Sequence, residues 1–329
     1  MRRRLLGSAL CLVLAWPVQA LAATTLKFSH TDQPGGARHK AAELFAKKVG
    51  EYTQGRYEVK VFPAGQLGND PKAIEQLQLG GIDFTVSSTG SYATHLASLN
   101  LTMLPFLVDN YDQGWRFYDQ SPWLKTQFAK APEKGFRFLA TWEAGFRSMT
   151  TKEPLVTPAD ARGKKLRSFP NEMMRWTLES MGFNLQIMPL PEVYLAIQQG
   201  AVSGQENPID TIFANKFYEV APHVTLTQHV YSPIPLAISE KTWQKLAEAD
   251  RAAITRAGQE AANWIRQEIR GNDERQLSDM AGKGAKIGRP DVAPWRASVK
   301  DAYAKAKEKY GADVDAILAD AEAIRKGGK

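Results

Sequence analysis

Between Thr25 and Val86 the hydrophobic period switches repeatedly between two and 3.6 residues, and this alternation leaves few folds open to the chain. Residues 25–29 alternate, with Leu26 and Phe28 as the apolar partners, which predicts a strand. Residues 37–53 set Ala41, Leu44, Phe45, Val49 and Tyr52 at helical spacing, with Gly55 as a stop. Residues 57–61 read as a second strand. Asn69-Asp70-Pro71 then supplies a cap residue and a first-turn proline, opening a helix over 72–79. Gly80-Gly81 ends that helix, and residues 82–86 return to a strand. A β-α-β-α-β order calls for parallel strands with helices on both faces, an α/β fold.

The pattern restarts after Trp142, with a strand over 163–169, a helix over 171–181 stopped by Gly182, and a helix over 192–199. A chain of 329 residues suggests two domains. Residues 250–280 carry Ile254, Ala257, Ala261, Ile265 and Ile269 on one stripe. A helix of roughly 30 residues is about 45 Å long, enough to lie along both domains. Residues 293–329 are helical in pattern and rich in lysine, and are expected to pack on one lobe.

The N-terminus has the parts of a secretory signal: Arg2-Arg3-Arg4, an apolar run over 5–16, and Ala20-Leu21-Ala22. The run falls short of the roughly 20 residues that span a bilayer. Residues 1–22 are therefore set aside, with cleavage expected after Ala22. The one cysteine, Cys11, lies in this leader, so no disulfide is expected. Removing the three leader arginines from 42 basic residues leaves 39 against 35 acidic, and the formal charge falls from +7 to +4. No Lys/Arg block is interleaved with aromatics, so nucleic acid is not an expected partner.

Two arginines stand out. Arg147 follows Gly145-Phe146 in an extended segment, and Arg167 ends the Lys164-Lys165-Leu166 entry to the strand over 163–169. A guanidinium matches a carboxylate with a planar fork of donors. Taken alone, each reads more readily as a surface arginine at a strand end. About forty residues after Arg167, Gly204-Gln205-Glu206-Asn207-Pro208 reads as a stiff polar loop. There the Asn207 amide offers two donors and an acceptor. The same residues also describe an ordinary turn. Asn171, Glu172 and Asp210 are candidates to hydrogen-bond ligand hydroxyls, and Phe169, Trp142 and Phe146 to form apolar walls.

Catalytic patterns are missing. There is no Walker loop and no G-x-S-x-G elbow, and the glycines of 282–288 have the wrong spacing for a dinucleotide loop. Five histidines include no pair four apart on a helix, so neither metal nor cofactor is expected. The sequence leaves open a cation bridging ligand and carboxylates. An exported enzyme acting on an acidic substrate through Asp70, Glu172 or a histidine would need a paired acid and base, and none can be assembled.

The segments LRSFPNEM (166–173), MPLPEVYLAIQQGAVSGQENP (188–208), FPAGQLGND (62–70) and LPFLVDN (104–110) resemble the periplasmic solute receptors of tripartite ATP-independent periplasmic (TRAP) transporters, of the dicarboxylate-receptor (DctP) type. The similarity runs over essentially the whole mature chain. It implies a two-lobed, type II-like periplasmic binding protein with discontinuous lobes, a long helix spanning both, and a ligand in the cleft between them. Lobe I would comprise 24–144 with 233–272, and lobe II 145–232 with 273–329. The resemblance makes Arg167 the principal partner of a ligand carboxylate, assisted by Arg147 and Asn207, with Gln205 and Glu206 supporting the loop. His30, Asp70 and Ser88 would face the cleft from lobe I. Sialic-acid receptors of this type carry a glutamate where Ser88 stands and an aromatic where Leu190 stands, which argues against sialic acid.

The expected protein is a monomeric periplasmic receptor that closes on a small organic or sugar-acid carboxylate and delivers it to TRAP membrane subunits. An exported enzyme, or a receptor for another importer or a sensor, is the alternative.

Overall fold

The computed structural model describes residues 22–327. The expected leader, with Cys11 and the three N-terminal arginines, lies outside the described residues apart from Ala22. Among the described residues no helix is long and apolar enough to cross a membrane.

Two sheets form two lobes. The first has the order β2-β1-β3-β10-β4, built from β1 (Thr24–Ser29), β2 (Tyr57–Phe62), β3 (Phe84–Val86), β4 (Phe136–Trp142) and β10 (Ile234–Ser239). The second has the order β11-β9-β5-β8-β6-β7. Its strands are β5 (Phe146–Thr151), β6 (Lys165–Ser168), β7 (Asn184–Ile187), β8 (Gly204–Pro208), β9 (His223–Tyr231) and β11 (Lys286–Gly288).

The predicted parallel start is present, with β1 parallel to both β2 and β3. Beyond it, β10 runs antiparallel to β3 and β4, so the first lobe is completed by a strand from late in the chain. Each lobe is thus discontinuous. Two short segments cross between the sheets, from β4 to β5 and from β9 to β10. They are tied together by the Ser232 amide donating to the Gly145 carbonyl at 3.1 Å.

The third crossing is a 35-residue helix, Glu248–Gly282. Its first part packs on β4 and on α1 (Ala37–Tyr52), and its later part on the helix Ile209–Ala214 and on β11. Ile254, Ala257, Ala261, Ile265 and Ile269 are all buried, as the stripe predicts.

Several sequence expectations change. The Gly204–Pro208 segment is a buried strand between β5 and β6, not a loop. Gly204 is required there because a Cβ would lie 2.1 Å from the Thr150 carbonyl oxygen. Trp142 is not a cleft wall. It packs against Phe28 and Phe45 in the first lobe's core, and its indole donates to the Gly258 carbonyl at 3.0 Å. Burying each such aromatic contributes about 1.5–3 kcal/mol, which the cleft would forfeit. Phe146 is likewise buried, against Tyr111 and Tyr231.

The C-terminal tail does not keep to one lobe. Helix Lys300–Tyr310 packs on helix Glu172–Ser180, whereas Ala312–Lys326 packs on α3 (Tyr111–Gln120) and on helix Pro122–Phe128. Asp320 fastens the latter contact by accepting from Ser121 Oγ and the Trp123 amide.

Candidate functional site

The central strands of the second sheet carry the arginines. Arg147 lies at the start of β5, opposite Pro208 on β8 and Val230 on β9. Its fork is filled: Nε and Nη2 donate to the two Glu206 carboxylate oxygens at 2.5 and 2.9 Å, and Nη2 also reaches Asn207 Oδ1 at 3.1 Å. The guanidinium lies over the Phe169 ring, 5.1 Å from its centroid.

Glu206 is fully buried. Burial pushes its carboxyl up, but the charge of Arg147 and hydrogen bonds from His229 and Arg147 outweigh burial and hold it at about 2. His229, 3.3 Å from the same carboxylate, is kept below the usual imidazole range by burial, against the pull of Glu206.

Arg167, on β6, is in a different state. It is 2% exposed, and its Nε and Nη2 both donate to the Met188 carbonyl at 3.0 and 2.9 Å. A carbonyl carries no charge to offset the guanidinium. Burial pulls Arg167 down to about 10, with Glu206 and Asp70 acting against that pull and Arg147 adding to it. This is a desolvated cation held ready for an anion.

The first lobe faces it with the start of α2 (Asp70–Leu79). Asn69 caps that helix by accepting from the Lys72 amide, and Pro71 occupies its first turn. This leaves the Asp70 carboxylate to accept from Ser87 Oγ at 2.8 Å and Thr31 Oγ1 at 3.2 Å. Asp70, Asn69 and Ser91 from the first lobe line one narrow cavity with Arg167, Phe169 and Leu190 from the second.

Ser88 joins the site indirectly. Its hydroxyl lies 3.3 Å from Ser232 Oγ, which accepts from Arg147 Nη1 at 3.3 Å. Asn207 donates to Gln205 Oε1 at 2.5 Å while accepting from Arg147.

Four expected residues fall elsewhere. Asn171 caps helix Glu172–Ser180 and spends its amide protons on the Gly90 carbonyl and Asn100 Oδ1, a buried contact between the lobes. Glu172 turns outward to Lys309 at 2.6 and 2.9 Å. Asp210 accepts from the Ala37 amide at the start of α1 and from Gln276 on the long helix, and does not line the cavity that holds Arg167 and Asp70. His30 is buried beside Phe28 and shares a 3.1 Å hydrogen bond with His39. Burial, Arg38 and His39 hold it neutral, at about 2.

Sequence reasoning missed His229 and Ser232 as members of the Arg147 network. Both lie on or beside β9, where the pairing with β5 jumps from Val230 to Thr225. The extra residues bring His229 to Glu206, and nothing in the local sequence announces such an irregularity.

Two lobes with crossing strands, a long spanning helix and a buried, carboxylate-free arginine in the cleft define a bacterial solute-binding protein. Residues 28–309 match DctP, bacterial extracellular solute-binding protein family 7, and the chain belongs to that family. It is 30% identical to a sialic acid-binding periplasmic protein of Vibrio cholerae, over 94% of this chain and 96% of that one. A TRAP periplasmic solute-binding protein from Polaromonas, bound to D-erythronate, has 33% identity and a TM-score of 0.86, covering 90% of this chain and 98% of that one. The sugar acid-binding protein of Advenella mimigardefordensis, in complex with galactonate, has 30% identity and a TM-score of 0.88, covering 92% of this chain and 99% of that one.

Proposed function

We propose that this chain is a periplasmic TRAP receptor that captures a small carboxylate between its lobes, with Arg167 as the direct partner of the carboxylate. The carrying observation is the contrast between the arginines: Arg147 is saturated by Glu206, whereas Arg167 is as deeply buried and meets a neutral carbonyl. Arg147 and Asn207 then act together as a rigid wall that keeps Arg167 and Phe169 in place. Family membership supports a binding role rather than catalysis.

In this reading lobe I is 24–144 with 233–272 and the helix Ala312–Lys326 that packs on it, and lobe II is 145–232 with 273–311. The Gly145 and Ser232 crossings serve as the hinge. A ligand bridging Arg167 and the Asp70 face binds the closed state better than the open one, and that difference drives closure. The closed monomer would then be handed to the TRAP membrane subunits.

Calorimetric titration with D-erythronate, galactonate and glucuronate tests the site, beside neutral sugars of equal size. Binding of at least one acid, abolished in Arg167→Met, is the expected result. Binding of neutral sugars alone, or undiminished affinity in the variant, would overturn it. Mass spectrometry of the bound ligand after incubation tests turnover, and an unchanged mass is expected.

A further inference from the structure

We propose that Asp70 restricts the cleft to singly charged, hydroxylated acids and rejects dicarboxylates. The inference rests on the carboxylate reading above and adds to it the charge that the ligand must carry.

Among the described residues two charged side chains line the cavity, Arg167 from the second lobe and Asp70 from the first. Behind them Arg147 and Glu206 cancel as a buried bidentate pair, and Glu192 adds a further negative charge that acts on Arg167. A ligand carboxylate on Arg167 uses the remaining positive charge. The opposite end of the ligand then meets Asp70.

Ser87 and Thr31 donate to Asp70 and fix its orientation, and a carboxylate has about four acceptor positions in all. The vacant ones suit a ligand hydroxyl. They repel a second carboxylate, and the α2 N-terminus favours the negative charge at this place.

Neighbouring groups offer no relief. Arg38, on the same face, lies 3.3 Å from the Asp32 carboxylate and donates to Thr31. His30 is held neutral by its burial. Ser88, Ser91 and Asn69 are uncharged. A like charge at contact distance in a cavity this narrow weakens binding on the order of 100-fold.

The test is calorimetric titration of the full protein with galactonate, D-erythronate and succinate at one pH and ionic strength. At least one hydroxy acid is expected to bind about 100-fold or more tightly than succinate. Asp70→Asn should close most of that gap, chiefly through a gain for succinate. Asp70→Ser, which also suits a helix start, repeats the test if the amide variant does not fold, as judged by its melting curve.

Succinate within threefold of the better hydroxy acid in the unaltered protein overturns the proposal. So does a ratio that neither folded variant changes. Absence of binding by all three acids overturns the carboxylate reading itself, and this proposal with it.

Discussion

Replacing Arg167 with methionine should separate binding from stability, because the site holds a charge that the fold does not neutralise. Methionine keeps most of the buried stem volume and removes the guanidinium. Burial pulls Arg167 from the ordinary guanidinium range down to about 10. At about 1.4 kcal/mol per decade, the folded protein disfavours that charge by roughly 3 kcal/mol. Against this gain, the Met188 carbonyl loses both donors, a cost of about 1–3 kcal/mol for a buried acceptor. The terms nearly cancel, so the ligand-free variant should match the parent within about 1 kcal/mol or exceed it. Affinity should fall steeply, since removing one partner of a desolvated charge pair costs about 2–5 kcal/mol, or ~30- to several-thousand-fold. Urea unfolding followed by tryptophan fluorescence gives the first quantity and calorimetric titration the second. A variant more than about 3 kcal/mol less stable that still binds within threefold of the parent would refute the reasoning.

Arg147→Ala should behave in the opposite way, losing about 3–5 kcal/mol because Glu206 is left charged and unpaired in the interior. In the parent the Glu206 contribution is present above its unfolded value near 4.5 and is lost as pH falls toward 2. The variant's acid unfolding curve should lack that limb, and an unchanged curve would count against the pairing. Asp273 presents the reverse sign. Burial raises it to about 7, with Glu143, Asp210 and Glu274 adding to the rise and the Tyr111 hydroxyl opposing it. The folded state therefore keeps a proton that the unfolded chain releases near pH 4, and stability declines as pH rises from about 4 to 7. Asp273→Asn should be more stable than the parent by about 2–4 kcal/mol at pH 8 and nearly equal at pH 4, read from thermal melts at each pH. Gly145→Ala should lower the melting temperature, since Gly145 has φ +103° and an added Cβ would lie 3.0 Å from the Tyr111 hydroxyl. The expected cost is about 1–2 kcal/mol, and an unaltered melt would exclude strain at this crossing.

Much of the first lobe was legible because local rules act there. The cap and proline at Asn69 and Pro71, the alternation over β1 and β2, and the Ile254–Ile269 stripe each specify an element from a few neighbours. Less was legible where partners come from distant segments. Nothing near β3 announces that β10 will pair with it antiparallel across some 150 residues. The Gly204–Pro208 segment looks like a turn because Gly and Asn-Pro usually make one. It is a central strand because β5 and β6 flank it on both sides.

The site divides along the same line. Sequence alone marked an exported chain, an α/β plan in two parts, and two arginines with an asparagine as candidates for an anion. Those follow from residue chemistry and short-range periodicity, which neighbours along the chain suffice to express. Only the tertiary structure decided that the two arginines differ: Glu206 and the bulged β9 saturate Arg147, while Arg167 faces a carbonyl and a narrow cavity. It also decided that Asn171, Glu172 and Asp210 serve a helix cap, a surface ion pair and an interlobe contact. The charge left for a ligand depends on which carboxylates stand within a few ångströms. Long-range strand register and lobe packing set that quantity, and no stretch of sequence contains it.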